Sequence, residues 1–316
     1  MLTSTPNKKD IESAHERILS FIHQTPVLTS ELLNQKVGCE LHFKCENFQK
    51  VGAFKYRGAT NAVLQLSAEE LKQGVATHSS GNHGQALAKA AKIANSKAYI
   101  VMPNNAPKVK IEAVKGYGAE VIFCEPTLEA RETTLQKVID QAGAVFIHPY
   151  NNYDVIAGQA TCAKELINQA DGLQIILAPV GGGGLLSGTL LSAHYFAPNI
   201  EVWAGEPENV NDALLSLKRG EIVEAPITPT IADGLKTSLG DKTFPIIQEH
   251  IYGILTVTEE EIVDAMKLIW QYLKIIVEPS CAVPLAAIIK NPVLFQGKKV
   301  GVILTGGNVD LEKLPF

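Results

Sequence analysis

Four consecutive glycines, Gly181, Gly182, Gly183 and Gly184, separate the apolar run LQIILAPV from the helical stretch LLSGTLLSAHYF. No other stretch narrows the possible folds so much. A turn with no side chains lets backbone amides close on an anion at a helix N-terminus. Serving only as a turn, four glycines would cost roughly several kcal/mol of chain entropy on ordering. The pattern is neither GxGxxG nor a Walker A loop, since no GK[ST] follows. A single phosphate monoester fits it better than a dinucleotide or a nucleoside triphosphate.

The strand–glycine–helix unit recurs in outline along the chain. The apolar runs GVATHSS, KAYIVMP, AEVIFCEP, AVFIHPY, LQIILAPV, EVWAGEP and KKVGVILTGG alternate with helical stretches such as QALAKAAKIA, APKVKIEAVKGY and TLEARETTLQKVIDQA. Strands that lack polar alternation are buried on both faces, which predicts an α/β protein with mainly parallel sheets covered by helices. An N-terminal helix is expected over residues 10–23, capped by Asp10 and ended by Thr25-Pro26. At 316 residues, with 46% hydrophobic and 19% charged, the chain has room for two lobes and a sizeable core.

Composition also excludes functions. The net charge of −5 and the lack of any Lys/Arg tract argue against nucleic-acid binding. Five scattered cysteines without CxxC spacing fit reduced cytosolic thiols. No window reads as a signal peptide or a membrane span, so a soluble cytoplasmic protein is expected.

In open parallel sheets ligands collect at the carboxyl ends of strands. Ser79-Ser80-Gly81-Asn82-His83-Gly84 follows such a strand and offers helix-start amides and polar side chains to a carboxylate, although an N-cap with a tight turn would need only one of them. Thr305-Gly306-Gly307-Asn308 puts a hydroxyl at a strand tip beside glycines that admit a flat ligand; a plain turn is the alternative. Glu206 to Asp212 packs carboxylates and carbonyls into a short segment suited to Mg²⁺ or Ca²⁺, or to nothing but solvated acids. Lys55 lies between Phe54 and Tyr56 in FKCENFQKVGAFKYRGATNAV. It reads either as a desolvated nucleophilic amine or as a solvated lysine opening an amphipathic helix, GATNAVLQLSAEEL.

A nucleophilic lysine, a loop gripping one phosphate and a strand-end hydroxyl together describe pyridoxal phosphate. The segments HQTPVLTSELLNQ, FKCENFQKVGAFKYRGATNAV, SSGNHGQALA, VIAGQAT, PVGGGGLLSG, IADGLKTS and LTGGNVDL resemble those of the serine racemase and threonine dehydratase family of fold-type II pyridoxal phosphate enzymes, from about Thr25 to the C-terminus. The resemblance implies a tryptophan synthase β-like fold. A large cofactor-binding domain would comprise residues 1–74 and 152–316. A small domain of residues 75–151 would close over the substrate.

Residue by residue, the resemblance implies that Lys55 carries the cofactor covalently and serves as base on one face of the substrate Cα, with Ser80 as acid/base on the other. Phe54 would pack near the ring, Asn82 would bond its 3′-oxygen, and Gly181 to Gly184 would hold the phosphate. Glu278 would lie near the cofactor, and Thr305 would face the pyridine nitrogen. A neutral hydroxyl there leaves that nitrogen unprotonated and favours prompt loss of a β-hydroxyl over a long-lived carbanion. Ser79, Ser80, Asn82 and His83 would hold the substrate carboxylate, with Arg131 and Ser238 close to the substrate. Glu206, the Val210 carbonyl and Asp212 would bind Mg²⁺ or another divalent cation.

Departures from the family pattern include Ala53 for the usual serine before Phe54-Lys55 and Tyr150 for an asparagine near the ring. Glu31 and Val51 replace residues of the nucleotide site of the racemases, which speaks against activation by ATP. The expected activity is that of an L-threonine/L-serine ammonia-lyase with racemisation of serine open to it. Serine racemase proper and threo-3-hydroxyaspartate ammonia-lyase are the alternatives. A small β-hydroxy amino acid is the expected partner, and a homodimer the expected assembly.

Overall fold

The computed structural model describes the chain except Ser80 and Pro107. Among the described residues ten strands form two sheets: β1 (Val27–Leu28), β2 (Glu40–Cys45), β3 (Val75–His78), β4 (Ala98–Pro103), β5 (Glu120–Cys124), β6 (Val145–Phe146), β7 (Ile175–Pro179), β8 (Glu201–Pro207), β9 (Gly253–Val257) and β10 (Lys299–Leu304). The larger sheet has the order β1-β2-β10-β7-β8-β9 and is parallel except for the antiparallel β1–β2 pair. The smaller sheet, β5-β4-β3-β6, is parallel throughout. The chain is therefore an α/β protein with two parallel-sheet units.

Unbroken apolar runs produce the central strands because both faces are covered. All of β7 is buried, and β10 is buried from Val300 onward. On one face of the large sheet lie the helices Glu259–Leu273 and Pro279–Lys290; on the other lie Tyr153–Gln169 and Gly184–Phe196. A third core joins the small sheet to the helices Lys55–Val63 and Asn82–Ile93. The helix starting at Lys55 is thus wedged between Asn82–Ile93 and Tyr153–Gln169. Glycines let it approach the latter: a Cβ on Gly158 would come within 2.6 Å of the Gly58 Cα.

The same wedge buries charge. The fully buried Arg57 guanidinium donates to both carboxylate oxygens of Glu46 (2.8 Å each) and to both of Glu165 (2.7 and 2.8 Å). Lys44 completes the cluster with bonds of 2.7 Å to Glu165 and 2.8 Å to the Thr25 carbonyl. Two cations and two carboxylates cancel, and nearly every lone pair has a donor, the condition under which buried ions are tolerated.

Three local expectations are corrected. Asn7, not Asp10, caps the first helix, Lys8–Ile18; Asp10 is the reciprocal member of the capping box. That helix stops at Ile18, well before Thr25-Pro26, and Ile18 accepts the turn bonds from Phe21 and Ile22. The stretch after Lys55 is not one amphipathic helix. It breaks after Val63, and Ser67 starts a second helix, Ala68–Gln73, with Glu70 as its capping-box partner. From Tyr56 to Val63 every residue is buried, so a solvated helix is ruled out.

Candidate active site

Lys55 opens its helix with its ammonium nitrogen 5.2 Å from the Phe54 ring centroid and 2.8 Å from the Pro149 carbonyl oxygen, to which it donates. Withdrawal from water lowers its pKa from 10.5 to about 8, against the opposing charge of Glu278. An amine with that pKa is available unprotonated near neutral pH. The Phe54 amide donates to the Thr305 carbonyl at 3.0 Å, and Ala53 bridges to Gly306. Lys55 is therefore tied to the end of β10 on one side and to the segment after β6 on the other.

The glycine turn closes that second side. Gly182 and Gly184 lie under Tyr150: a Cβ on Gly182 would stand 2.5 Å from ring atoms, and one on Gly184 2.8 Å from the Tyr150 Cβ. A Cβ on Gly181 would meet the Leu235 Cα at 2.9 Å. Gly183 has φ +86°, the left-handed region that favours glycine. Every glycine of the four is thus required by space or by conformation. The helix Gly184–Phe196 that follows has no side-chain cap, so its first amides face the turn with no side-chain oxygen to accept from them. An uncapped helix start behind a turn stripped of side chains suits a phosphate monoester.

At the end of β10, Thr305 is buried with its hydroxyl 3.2 Å from the Cys281 sulfur. Glu278 is buried alongside; Asn82 Nδ2 lies 3.0 and 3.1 Å from its two carboxylate oxygens. Burial raises Glu278 to about 7, and the charge of Asp233 adds to the effect. Asn308 donates to the Asn82 Oδ1 at 2.9 Å, which fixes the orientation of that amide. Lys55, Phe54, Asn82, Glu278, Thr305 and the glycine turn are brought together by these links.

The remaining candidates are placed less uniformly. Ser79 accepts from the Gly81 amide at 3.3 Å; Ser80 lies outside the described residues. His83 is buried, with its pKa lowered to about 3, first by burial and then by the charge of Lys55. Its Nε2 lies 3.0 Å from the Ile147 carbonyl, so a neutral ring carries its proton there, and Nδ1 remains a lone pair without a partner among the described residues. The ring has no donor left for a carboxylate. The main-chain amide of His83 is the group that can serve a carboxylate there. Ser238 accepts from the Ala225 amide at 2.8 Å. Arg131 lies at the carboxyl end of the small sheet, where its charge acts on His78 and Cys124, and its buried Nε has no partner among the described residues.

Glu206, near the end of β8, and Val210 and Asp212, just after it, are all buried. Glu206 accepts from the Ala213 and Leu214 amides at 2.8 and 3.0 Å, while Asp212 Oδ2 has no partner among the described residues. Burial pushes Glu206 up to about 8 and Asp212 up to about 7. Two buried carboxylates with no cationic partner among the described residues are the setting a divalent cation would relieve.

The family of pyridoxal-phosphate dependent enzymes matches residues 18–306. The chain belongs to that family. Among proteins it is similar to are a β-hydroxyaspartate dehydratase of Paracoccus denitrificans, 52% identical over 98% of this chain and 99% of the relative, and a serine racemase of Dictyostelium discoideum, 53% identical over 98% and 97%. The crystal structure of serine racemase from Dictyostelium discoideum superposes with a TM-score of 0.93, covering 98% of this chain and 100% of that one. This chain is thus a pyridoxal-phosphate dependent enzyme with the fold-type II architecture of the racemase and ammonia-lyase group.

Beyond the position of Tyr150 near the ring, two features of this pyridoxal-phosphate enzyme's site were not foreseen from its sequence. The turn after β6, His148 to Asn151, contacts both Lys55 and the glycine turn. The strand-end rule that marked the other turns applied equally to AVFIHPY. Cys281 as the partner of Thr305 had no sequence signal, because the two are far apart in the chain.

Proposed function

We propose that the protein is an α,β-eliminating ammonia-lyase that takes small β-hydroxy amino acids, L-serine and L-threonine among them, to 2-oxo acids and ammonia, with pyridoxal phosphate carried on Lys55. The observation that carries this reading is the Lys55 amine, desolvated to a pKa of about 8 and aimed between Pro149 and Phe54. The amides of Gly181 to Gly184 and the uncapped helix behind them would hold the phosphate, with Thr305, Glu278, Asn82 and Phe54 around the ring. When bound, the cofactor supplies an electron sink that acidifies the substrate's Cα–H.

Lys55 then takes the Cα proton on Nζ, and the Pro149 carbonyl orients the ammonium that results. The β-hydroxyl departs as water with a proton from an acid on the phosphate or Ser80 side. The enamine so released adds water and gives the 2-oxo acid and ammonia. Ser80, acting on the opposite face, would return a proton there and racemise serine. Glu206, Val210 and Asp212 would hold a divalent cation away from the chemistry. The small unit, residues 75–151, would close over the substrate.

A second reading, 3-hydroxyaspartate as the preferred substrate, is favoured by Arg131, whose buried Nε has no partner among the described residues and whose guanidinium would meet a second carboxylate. A side-by-side assay of 2-oxo acid release from L-serine, L-threonine and threo-3-hydroxyaspartate, with D-serine measured alongside, tests both. Arg131→Met should depress turnover of 3-hydroxyaspartate far more than of serine; equal loss on both substrates would remove the second reading. An unchanged visible cofactor band in Lys55→Ala would remove the first.

A further inference from the structure

The segment that follows β6 is built around the ring of His148. Its Nδ1 accepts the amide of Asn151 at 2.9 Å and that of Tyr150 at 3.3 Å. A nitrogen that accepts two amides carries no proton, so the ring is neutral with its hydrogen on Nε2. The ring is also fixed edge-on against Tyr150 (centroids 4.6 Å apart, 88°) and against Phe146 (5.5 Å, 61°). The next residue is clamped from the large sheet's side: Asn151 donates to Asp241 at 2.6 Å and accepts from the Lys242 amide at 2.9 Å.

Two groups emerge from this turn toward the site. The Pro149 carbonyl receives the Lys55 amine, and the Tyr150 ring covers Gly182 and Gly184. A side chain that draws in the amides two and three residues ahead is the geometry an asparagine or aspartate makes in an Asx turn; here a histidine makes it. A pKa lowered to about 3 by burial keeps the ring in its accepting form at ordinary pH.

We propose that His148 is a positioning residue: its neutral ring folds the 148–151 turn and so presents the Pro149 carbonyl as the resting acceptor for the Lys55 amine whenever that amine is free. The inference rests on the reading of Lys55 as the cofactor-bearing lysine. A lysine serving as both attachment point and base must leave its bond in every turnover, take a proton and return. A fixed acceptor holds the free amine where it can do both, in place of the many rotamers of an unheld lysine. Without His148 the two amides lose their acceptor, the turn opens and the carbonyl moves off.

The test compares His148→Asn, which keeps an acceptor at the same branch of the side chain, with His148→Phe, which keeps the ring and removes the acceptor. The readout besides turnover is the rate at which the full chain, freed of cofactor, regains the visible band of lysine-bound pyridoxal phosphate when the cofactor is added. His148→Phe should slow that rate and kcat roughly tenfold with KM changed less than about twofold, and His148→Asn should restore most of both. A wild-type rate in His148→Phe overturns the proposal, as does an Asn variant as slow as the Phe variant. If the Phe variant does not fold, nitrogen NMR of labelled histidine in the wild type decides: a His148 Nδ1 that carries hydrogen overturns the proposal, and a bare Nδ1 with an Asn-tolerant rate supports it. Failure of the underlying reading looks different, since Lys55→Ala would then acquire the same band as wild type whatever the His148 variants do.

Discussion

The Thr305 hydroxyl oxygen lies 3.2 Å from the sulfur of Cys281, and that sulfur also meets both polar groups of Gly306, accepting its amide at 2.9 Å and facing its carbonyl at 2.7 Å. A thiol has one proton, and the nearer carbonyl takes it. The sulfur lone pairs are left for the Gly306 amide and the Thr305 hydroxyl. Cys281 thereby sets the direction of the Thr305 O–H bond. Burial pushes the thiol far above its ordinary range, so it stays a thiol.

Replacing Cys281 by alanine orphans a buried amide and frees the hydroxyl. The expected loss is about 1–3 kcal/mol in urea unfolding of the cofactor-free chain, and Cys281→Ser, which can make the same bonds, should recover more than half of it. Equal losses in the two variants would assign the effect to volume alone.

Arg57 makes a stronger case. Its guanidinium reaches both Glu46 and Glu165 within the helix wedge. Arg57→Met leaves buried Glu46 with the Thr25 hydroxyl and no charged donor among the described residues, and buried Glu165 with Lys44, and destabilisation of about 3–5 kcal/mol is expected. Denaturant midpoints should fall with little change in slope. Arg57→Lys should be intermediate, because an ammonium keeps the charge and loses the fork. A methionine variant as stable as wild type would contradict the need for this cluster.

Much of the fold could be read from local pattern because its strands are fully buried. VATH, AYIVMP, IILAP and KVGVIL carry no alternation to confuse, and each is a parallel strand. The two-residue β1 and the half-exposed β9 lacked such a run, and β2 was hidden in the stretch read for Lys55. The site was legible where chemistry is concentrated in a few adjacent residues, as in Gly181 to Gly184 around the uncapped helix. It was illegible where function depends on pairing across the chain. Nothing near Lys55 announces Pro149 as its acceptor, and nothing near Thr305 announces Cys281. Nothing local to Arg57 marks it for burial; the tertiary fold turns it inward.

The loop after β8 predicts a response to metal. Asp212 Oδ2 is buried without a partner among the described residues, and Glu206 near it accepts from two amides. Magnesium or calcium should raise Tm by mass action, and EDTA should lower it. Asp212→Asn should respond to neither, and in EDTA it should be at least as stable as wild type, because it removes a buried charge. A variant that still responds to the cation would place the site elsewhere.

The last prediction concerns pH and the lysine itself. Lys55 has its pKa lowered from 10.5 to about 8, so it loses its proton well before a solvated lysine does. Only the unprotonated amine attacks the aldehyde of pyridoxal phosphate. The rate at which the cofactor-free chain acquires its visible band should therefore climb with pH and reach half its plateau near 8, where an exposed lysine would still be climbing toward 10.5. The direction follows from desolvation, which disfavours the ammonium. Removing the opposing carboxylate should sharpen it: Glu278→Gln takes away the charge that raises the Lys55 pKa, and the midpoint should move lower still. A midpoint that stays near 10 in the wild type would mean that the amine is solvated before the cofactor arrives, and the desolvated pocket around Phe54 and Pro149 would lose its role.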